Sequence, residues 1–242
     1  MNNLITDFNS FGLVHIIALL LPLFIGVLFI ITGLNATTER KRKTIRILFV
    51  ILLLLVRGSR YLIDLCVGRF DIYDLLSLQI CHIDLILLII CFFKPNKVLF
   101  HITFLVGIPM GLAVALLPGK VHPEPGLSRA VLFIASHMLL VVGPIYLALV
   151  DKMKLKLSYL FYIIGIGNVF IIVAYIANSL LGTNFLYIMY APKGTVIEQL
   201  SNAFGWPGYA IAMDLIAFSV IIFLFCVNKM IERLYRSFSL PD

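Results

Sequence analysis

The stretch that decides the fold class is FGLVHIIALLLPLFIGVLFIITGL, residues 11–34, which contains no Asp, Glu, Lys or Arg. About 20 consecutive apolar residues are enough for an α-helix to cross the hydrocarbon core of a bilayer. The stretch is too long for the core of a signal peptide, lacks a basic start and is not followed by a small-residue cleavage site, so we interpret it as a membrane span. The chain of 242 residues is 62% hydrophobic and 13% charged, with a mean hydropathy of +1.07. The sequence therefore predicts a polytopic membrane protein.

Hydropathy and the polar breaks predict an all-α chain that forms one transmembrane domain over residues 1–242 and crosses the membrane seven times. The approximate bounds of the predicted helices are 11–34, 46–66, 76–93, 98–117, 130–150, 159–181 and 206–228. The longest connections, residues 118–129 and 182–205, are long enough to cover one face of a helix bundle.

Basic residues are distributed unevenly between the two faces of the predicted bundle. Thirteen Lys and Arg residues lie on one face, within residues 40–46, 94–97, 152–156 and 229–236. Four lie on the other face, at Arg69, Lys120, Arg129 and Lys193. The positive-inside rule therefore predicts an N-terminus outside the cell and a cytoplasmic C-terminus in a multi-pass protein of the cell membrane. The same distribution accounts for the formal charge of +7, so no nucleic-acid partner is predicted.

The four cysteines show no CxxC spacing and lie mostly within predicted helices, so neither a disulfide framework nor a zinc cluster is indicated. They are Cys66, Cys81, Cys91 and Cys226. We predict no cofactor and no metal. A metal site formed by His15, His137 and Asp214 is an open alternative, because ligands from separate helices can converge, although no HxxxH or HExxH spacing supports it.

The second predicted helix carries charged residues inside its span. Its polar residues Arg57, Arg60, Tyr61 and Asp64 are spaced i, i+3, i+4 and i+7, which confines them to one helix face. Charged side chains inside a span generally face a cavity or a partner. We expect Arg60 and Arg57 to bind a lipid phosphate. The alternative is an Arg60–Asp64 pair within the helix, with Arg57 reaching to the membrane interface.

Polar residues of six predicted helices share one depth near the outer face. Counted from the outer ends, Cys81 lies about five residues deep, His137 about seven and His15 about four. The whole set is His15, Arg60, Asp64, Cys81, Asp84, His137, Asn178 and Asp214. Their common level predicts a polar pocket that opens toward the outer leaflet.

Spacing within the third predicted helix separates the roles of its polar residues. Cys81 and Asp84 fall on one face, whereas His82 points about 100° away and is therefore a poor base for Cys81. His137, at matching depth, is the leading candidate for that base, and His15 is the second. A thiol beside a base forms a nucleophilic thiolate, and an acyl thioester divides acyl transfer into two easier steps. A cysteine in a membrane helix is nevertheless more often a small apolar residue.

Several motifs also resemble a known family over nearly the whole chain. They are FGLVH (11–15), LSLQICHIDLILL (76–88), ASH (135–137) followed by GPIYLALV, NSLLGTNF (178–185) and GWPGY (205–209). In this order they resemble the YwaF-type family of bacterial integral membrane proteins. That family is similar to the transmembrane protein 164 group, implicated as ether-phospholipid acyltransferases, and more distantly to androgen-induced membrane hydrolases, which cleave lipid esters with a Thr and a His.

The resemblance implies a seven-helix fold with a nucleophile on an early-middle helix and a histidine on a later one. Cys81 matches the cysteine of the acyltransferase motif, and His137 matches its histidine. The bacterial motif commonly has a histidine two residues before the cysteine, where this chain has Gln79 and an added His82 after the cysteine.

These observations lead to the hypothesis of a membrane-embedded lipid acyltransferase or lipid hydrolase that acts on phospholipid or lysophospholipid. Cys81 would be the nucleophile and His137 its general base. His15 and Asn178 would stabilise the oxyanion or orient the histidine. Asp84 or Asp214 would fix the His137 tautomer, and Asp64 would support the polar stripe.

The alternative from another functional class is a non-enzymatic transporter or receptor that binds a small solute in the same pocket. Gly107, Pro109 and the Gly143–Pro144 pair would supply the helix breaks that transporters use. The sequence does not predict an oligomeric state.

Overall fold

The computed structural model describes residues 11–70, 72, 77–116 and 127–238. Its internal contacts divide the chain into two compact units. The first unit consists of Met1–Met153 and Lys193–Thr195, and the second of Lys154–Pro192 and Val196–Asp242.

The described residues form α-helices close to the seven predicted segments and contain no β-strand. The first unit contains α1 (Leu13–Leu34), α2 (Glu39–Cys66), α3 (Ile80–Phe93), α4 (Lys97–Leu116) and α5 (Leu127–Leu149). The second contains α6 (Leu157–Leu181), a short 3₁₀ turn (Phe185–Tyr187) and α7 (Val196–Phe238). A π-helical segment, Thr103–Gly107, interrupts α4. The all-α prediction is confirmed for this part of the chain.

Five of these helices are long and apolar enough to cross a membrane, namely α1, α4, α5, α6 and α7. Helix α3 is apolar but has only 14 residues. Helix α2 has 28 residues and carries Arg57, Arg60 and Asp64 in its second half. The chain is therefore a multi-pass membrane protein with five clear candidate spans. Seven crossings and the direction of insertion stay predictions.

Helix α3 begins later than the sequence predicts. The predicted span starts at residue 76, but the helix starts at Ile80, with Gln79 at its N-cap in an extended conformation. The hydroxyl of Ser77 accepts a hydrogen bond from the backbone N–H of Gln79 at 3.1 Å. Such a local bond gives the backbone an alternative to the helix. As a result, Cys81 lies in the first helical turn rather than one turn deeper.

Helix α5 is the centre of the first unit and packs against α1, α2, α3 and α4. Its most apolar window is 78% buried, compared with 22% for that of α1. Glycines allow close approach at these contacts: a Cβ at Gly26 of α1 would lie 2.5 Å from Val142 of α5. A Cβ at Gly111 of α4 would lie 3.0 Å from the carbonyl oxygen of His137. Small residues at helix contacts are typical of packing within membranes.

In the second unit, α7 is interrupted where the sequence predicts the last span to begin. Gly205 has φ 62° and Trp206 is extended, and Pro207 follows. The indole N–H of Trp206 donates to the carbonyl of Ile188 at 3.2 Å, and the Tyr209 hydroxyl donates to the carbonyl of Tyr187 at 2.9 Å. These bonds tie the segment around the 3₁₀ turn to the start of the apolar part of α7.

Candidate functional site

The polar stripe of α2 faces the interior of the first unit. Arg57, Arg60 and Asp64 are all at least 95% buried. This agrees with their spacing on one face of the helix. Because each charge is removed from water, each needs a partner within the protein.

Asp64 pairs with Arg129 at the start of α5, not with Arg60 of its own helix. Arg129 Nε lies 2.6 Å from Asp64 Oδ1, and Arg129 Nη2 donates to Asp64 Oδ2 at 3.1 Å. This two-point ion pair joins α2 to α5. Asp64 thus has a supporting role in packing α2 against α5, and the Arg60–Asp64 pair within the helix stays a prediction.

Arg57 contacts the imidazole of His82 on α3. Its Nη2 donates to His82 Nε2, and the Tyr61 hydroxyl lies 3.0 Å from the same nitrogen. The Arg57 guanidinium also lies 5.5 Å from the centre of the Tyr61 ring. His82 therefore points toward the polar stripe of α2 and joins the two helices, which is consistent with the expectation that it does not serve Cys81.

Cys81 lines a small cleft between α2, α3 and α5. The cleft is narrow and has no room for a water molecule. Its lining residues are Leu53, Arg57, Cys81, Leu85, Ser136 and Leu140. Cys81 as a residue is half-buried. Cys81 thus faces the cleft beside the Arg57 guanidinium and the residue that precedes His137.

His137 has a ring nitrogen with a free lone pair. Its Nδ1 donates to the carbonyl oxygen of Phe133 at 2.7 Å, which leaves Nε2 unprotonated in the neutral ring. Nε2 is buried and has no hydrogen-bonding partner among the described residues, so no hydrogen bond joins it to Cys81. The guanidinium of Arg60 lies 5.3 Å from the centre of the Phe133 ring, which itself lies 4.4 Å from the His137 ring. This tautomer leaves a lone pair on Nε2, the nitrogen that would accept a proton in general-base catalysis.

Both ring nitrogens of His15 form hydrogen bonds with backbone groups. Its Nδ1 accepts from the N–H of Phe11 at 2.8 Å, and its Nε2 lies 2.8 Å from the carbonyl oxygen of Ala115. These bonds fix the start of α1 against the end of α4. The contacts favour a structural role, and the predicted part of His15 in binding stays a prediction.

Asp84 lies against the π-helical segment of α4. It is 3% exposed, and neither carboxyl oxygen has a hydrogen-bonding partner among the described residues. A Cβ at Gly107 would lie 2.3 Å from Oδ2 of Asp84, so only glycine leaves room for this carboxyl. No contact joins Asp84 to the ring of His137, whose Nδ1 is held by Phe133 instead.

Two predicted site residues belong to the second unit. The side-chain amide of Asn178 accepts from Phe185 N at 2.6 Å and donates to Phe185 O at 3.0 Å, so it closes the loop that follows α6. Asp214 is half-buried on α7. Their predicted participation in the pocket stays a prediction. Within the described part of the chain, no group of three or more His, Cys, Asp or Glu side chains is placed to hold a metal ion.

Sequence reasoning missed three contributors to this region. The sequence predicts no part in the chemistry for His82 or Ser136, and it places Arg129 in a connection rather than in a helix. A signal for Ser136 was present, because it directly precedes the candidate base. No sequence signal pairs Arg129 with Asp64 across 65 positions of the chain.

The sequence profile of the TMEM164 family matches residues 10–225 of the chain. The match includes Cys81, His137 and every helix of the first unit. No curated protein and no solved structure shows a significant match.

Proposed function

We propose that this chain, which belongs to the TMEM164 family, is a membrane-embedded acyl-transfer enzyme that acts on phospholipid or lysophospholipid through Cys81 and His137. The observation that carries the proposal is the cleft lined by Cys81, Arg57 and Ser136, together with the buried Nε2 of His137 on α5, which has no hydrogen-bonding partner among the described residues. The resemblance of the same two residues to the acyltransferase motif supports the assignment.

The first half-reaction forms a thioester. His137 Nε2 takes the proton of the Cys81 thiol, and the thiolate attacks the ester carbonyl of a phospholipid acyl chain. The tetrahedral intermediate breaks its bond to the glycerol oxygen, which receives the proton from His137 and leaves as a lysophospholipid hydroxyl. A general base of this kind contributes about 10²–10⁴-fold to the rate.

The second half-reaction releases the acyl group. The hydroxyl of an acceptor lysophospholipid, or a water molecule, loses its proton to His137 Nε2 and attacks the thioester carbonyl. The Cys81 thiolate leaves and is reprotonated by His137. Transfer and hydrolysis therefore use the same two residues and differ only in the acceptor.

Negative charge that develops in these steps has suitable donors nearby. Burial disfavours the Cys81 thiolate, and the positive charge of Arg57, which lines the same cleft, opposes this effect. Cys81 is the second residue of α3. The N–H groups of His82 and Ile83 already donate to the carbonyl of Gln79, so we assign the N–H groups of Ile80 and Cys81, which precede them in the first turn, to the developing charge. Such groups are suited to stabilise an oxyanion. We assign Arg60 and Arg57 to the lipid phosphate, because a guanidinium forms two-point contacts with phosphate.

Access to the cleft requires movement of its side chains, because it has no room for a water molecule as it stands. We propose that an acyl chain entering between α2 and α5 separates Leu53 from Leu140 and brings the thiol within hydrogen-bond reach of Nε2. Catalytic hydrogen bonds are often long in the absence of substrate and tighten in the complex. We also propose that the pocket opens toward the outer leaflet and that the chain is of the bacterial YwaF type.

The experiment that tests the nucleophile is acyl-enzyme trapping in the purified chain. The protein in lipid nanodiscs is incubated with a phospholipid carrying an alkyne-tagged acyl chain, and protein-bound acyl groups that hydroxylamine releases are measured. Cys81→Ala is expected to abolish this labelling. Cys91→Ala, a buried cysteine of the same helix outside the cleft, is the control and should retain it. Equal labelling of the Cys81→Ala variant would remove Cys81 from the mechanism.

The base is tested with His137→Asn in the same assay. The asparagine amide can replace the Nδ1–H bond to Phe133 but offers no basic nitrogen at the Nε2 position. We expect thioester formation to slow by about 10²-fold or more while the melting temperature changes little. A variant that labels at the rate of the unaltered protein would contradict a role for His137 as base.

A further inference from the structure

A second cavity lies in the first unit at the other end of α2 from the cleft. It has a volume of about 250 Å³. Its lining residues are Glu39, Lys43, Arg46, Ile47, Phe92, Phe93 and Pro95. Arg46 and Arg57 are separated by 11 positions of one helix, or about 17 Å along its axis. The cavity is therefore distinct from the site of the proposed acyl transfer.

A buried guanidinium forms the charged part of this cavity. The side chain of Arg46 is only 10% exposed, and its Nε has no hydrogen-bonding partner among the described residues. Its Nη2 contacts the carboxylate of Glu39, whose side chain is 70% exposed. Because the Glu39 side chain is mostly exposed, an incoming anion can displace its carboxylate into water without leaving that charge buried.

The other anionic partner of Arg46 is more distant. Asp151, which follows α5, places Oδ1 3.8 Å from Arg46 Nη2. Burial raises the pKa of Asp151 above its ordinary value, although Arg46 and Arg42 oppose this effect. Neither carboxylate accepts a hydrogen bond from the Nε of Arg46. A tetrahedral anion such as phosphate has several acceptor oxygens and could bind Nε and Nη2 of this guanidinium together.

The remaining walls of the cavity are amphiphilic. Lys43 adds a second positive charge, and the rings of Phe92 and Phe93 with the side chain of Ile47 form an apolar surface. Phe93 is exposed at the last residue of α3. Basic residues beside exposed aromatic residues are typical of the headgroup region of a membrane.

We propose that this cavity binds the phosphate of a phospholipid headgroup, with Arg46 and Lys43 as the phosphate ligands and the aromatic wall against the glycerol and acyl carbons. The Glu39 carboxylate pairs with the Arg46 guanidinium when the lipid is absent. The inference does not depend on acyl transfer, because none of these residues lines the cleft of Cys81.

The test is a native mass spectrometry titration of the full-length chain with phosphatidylglycerol in detergent. Arg46→Gln is expected to weaken binding of the first lipid about tenfold, because it removes a charge-assisted hydrogen bond. Arg40→Gln removes the same charge from an exposed position of the same basic run and should change the affinity by less than about twofold. Equal effects of the two variants would overturn the proposal.

Glu39→Gln is expected to change the affinity for phosphatidylglycerol in the opposite direction to Arg46→Gln. This test does not require that an Arg46 variant folds. Removal of the competing carboxylate should tighten binding of phosphatidylglycerol, whereas a purely structural Arg46–Glu39 pair predicts unchanged or weaker binding. Competition with inorganic phosphate and glycerol 3-phosphate distinguishes the sources of the ligand. Displacement of the lipid by either one supports a site for soluble phosphate, and binding of lipid alone supports a headgroup site. Failure of all three to bind would overturn the proposal.

Discussion

Three histidines of the first unit differ in how their ring nitrogens are used. His15 holds backbone groups with both nitrogens, and His82 Nε2 accepts from Arg57. His137 is different, because its Nδ1 is bonded while its buried Nε2 has no partner among the described residues. A buried acceptor without a partner is unfavourable to folding, and a catalytic role is one explanation for its presence. This difference supports His137 as the base in preference to His15.

At the same scale, the Asp64–Arg129 pair is expected to contribute strongly to stability. Asp64→Asn leaves the Arg129 guanidinium without its buried carboxylate and should lower the free energy of unfolding by about 3 kcal/mol. Denaturant unfolding of the purified chain in micelles measures this change. Glu232→Gln in the more exposed Lys229–Glu232 pair is the control, with an expected loss below about 1 kcal/mol. Partial recovery of stability in the Asp64→Asn/Arg129→Gln double variant would support the assignment. Equal losses of stability in Asp64→Asn and in the control Glu232→Gln would contradict it.

At the scale of the helices, close packing of α1 against α5 depends on Gly26. A Cβ there would lie 2.5 Å and 2.6 Å from the two γ-carbons of Val142, which cannot move away as a long side chain can. Gly26→Ala should therefore lower the free energy of unfolding by about 2 kcal/mol through overpacking. Thermal unfolding in detergent provides the measurement.

The control for this change is Gly58→Ala on α2. No atom lies within 4 Å of a Cβ built at Gly58. Alanine also has the higher helix propensity, so this variant should be neutral or more stable by up to about 1 kcal/mol. A Gly26→Ala chain as stable as the Gly58→Ala chain would show that α1 and α5 do not pack as closely as described.

At the scale of the whole molecule, the direction of insertion decides which leaflet would supply the lipid of the proposed reaction. The end of α2 and the end of α3 are predicted to lie on opposite faces of the membrane, with Arg69 outside and Lys94 in the cytoplasm. In a background with the native cysteines replaced, a membrane-impermeant maleimide should label Arg69→Cys in intact cells. Lys94→Cys should react only after permeabilisation. Labelling of both from outside would contradict a crossing by α3, and the reverse pattern would contradict the predicted orientation.

The helical class, the approximate helix positions and the inward face of the polar stripe on α2 follow from the amino-acid sequence. These features depend on local composition and on the period of 3.6 residues, which act within one segment of chain. Folding of the whole unit is needed to establish that Asp64 meets Arg129, that His82 meets Arg57 and that Nε2 of His137 has no partner among the described residues. The reason is geometric: contacts between helices depend on their rotation and crossing, which side-chain packing across the whole unit sets and which no single segment encodes.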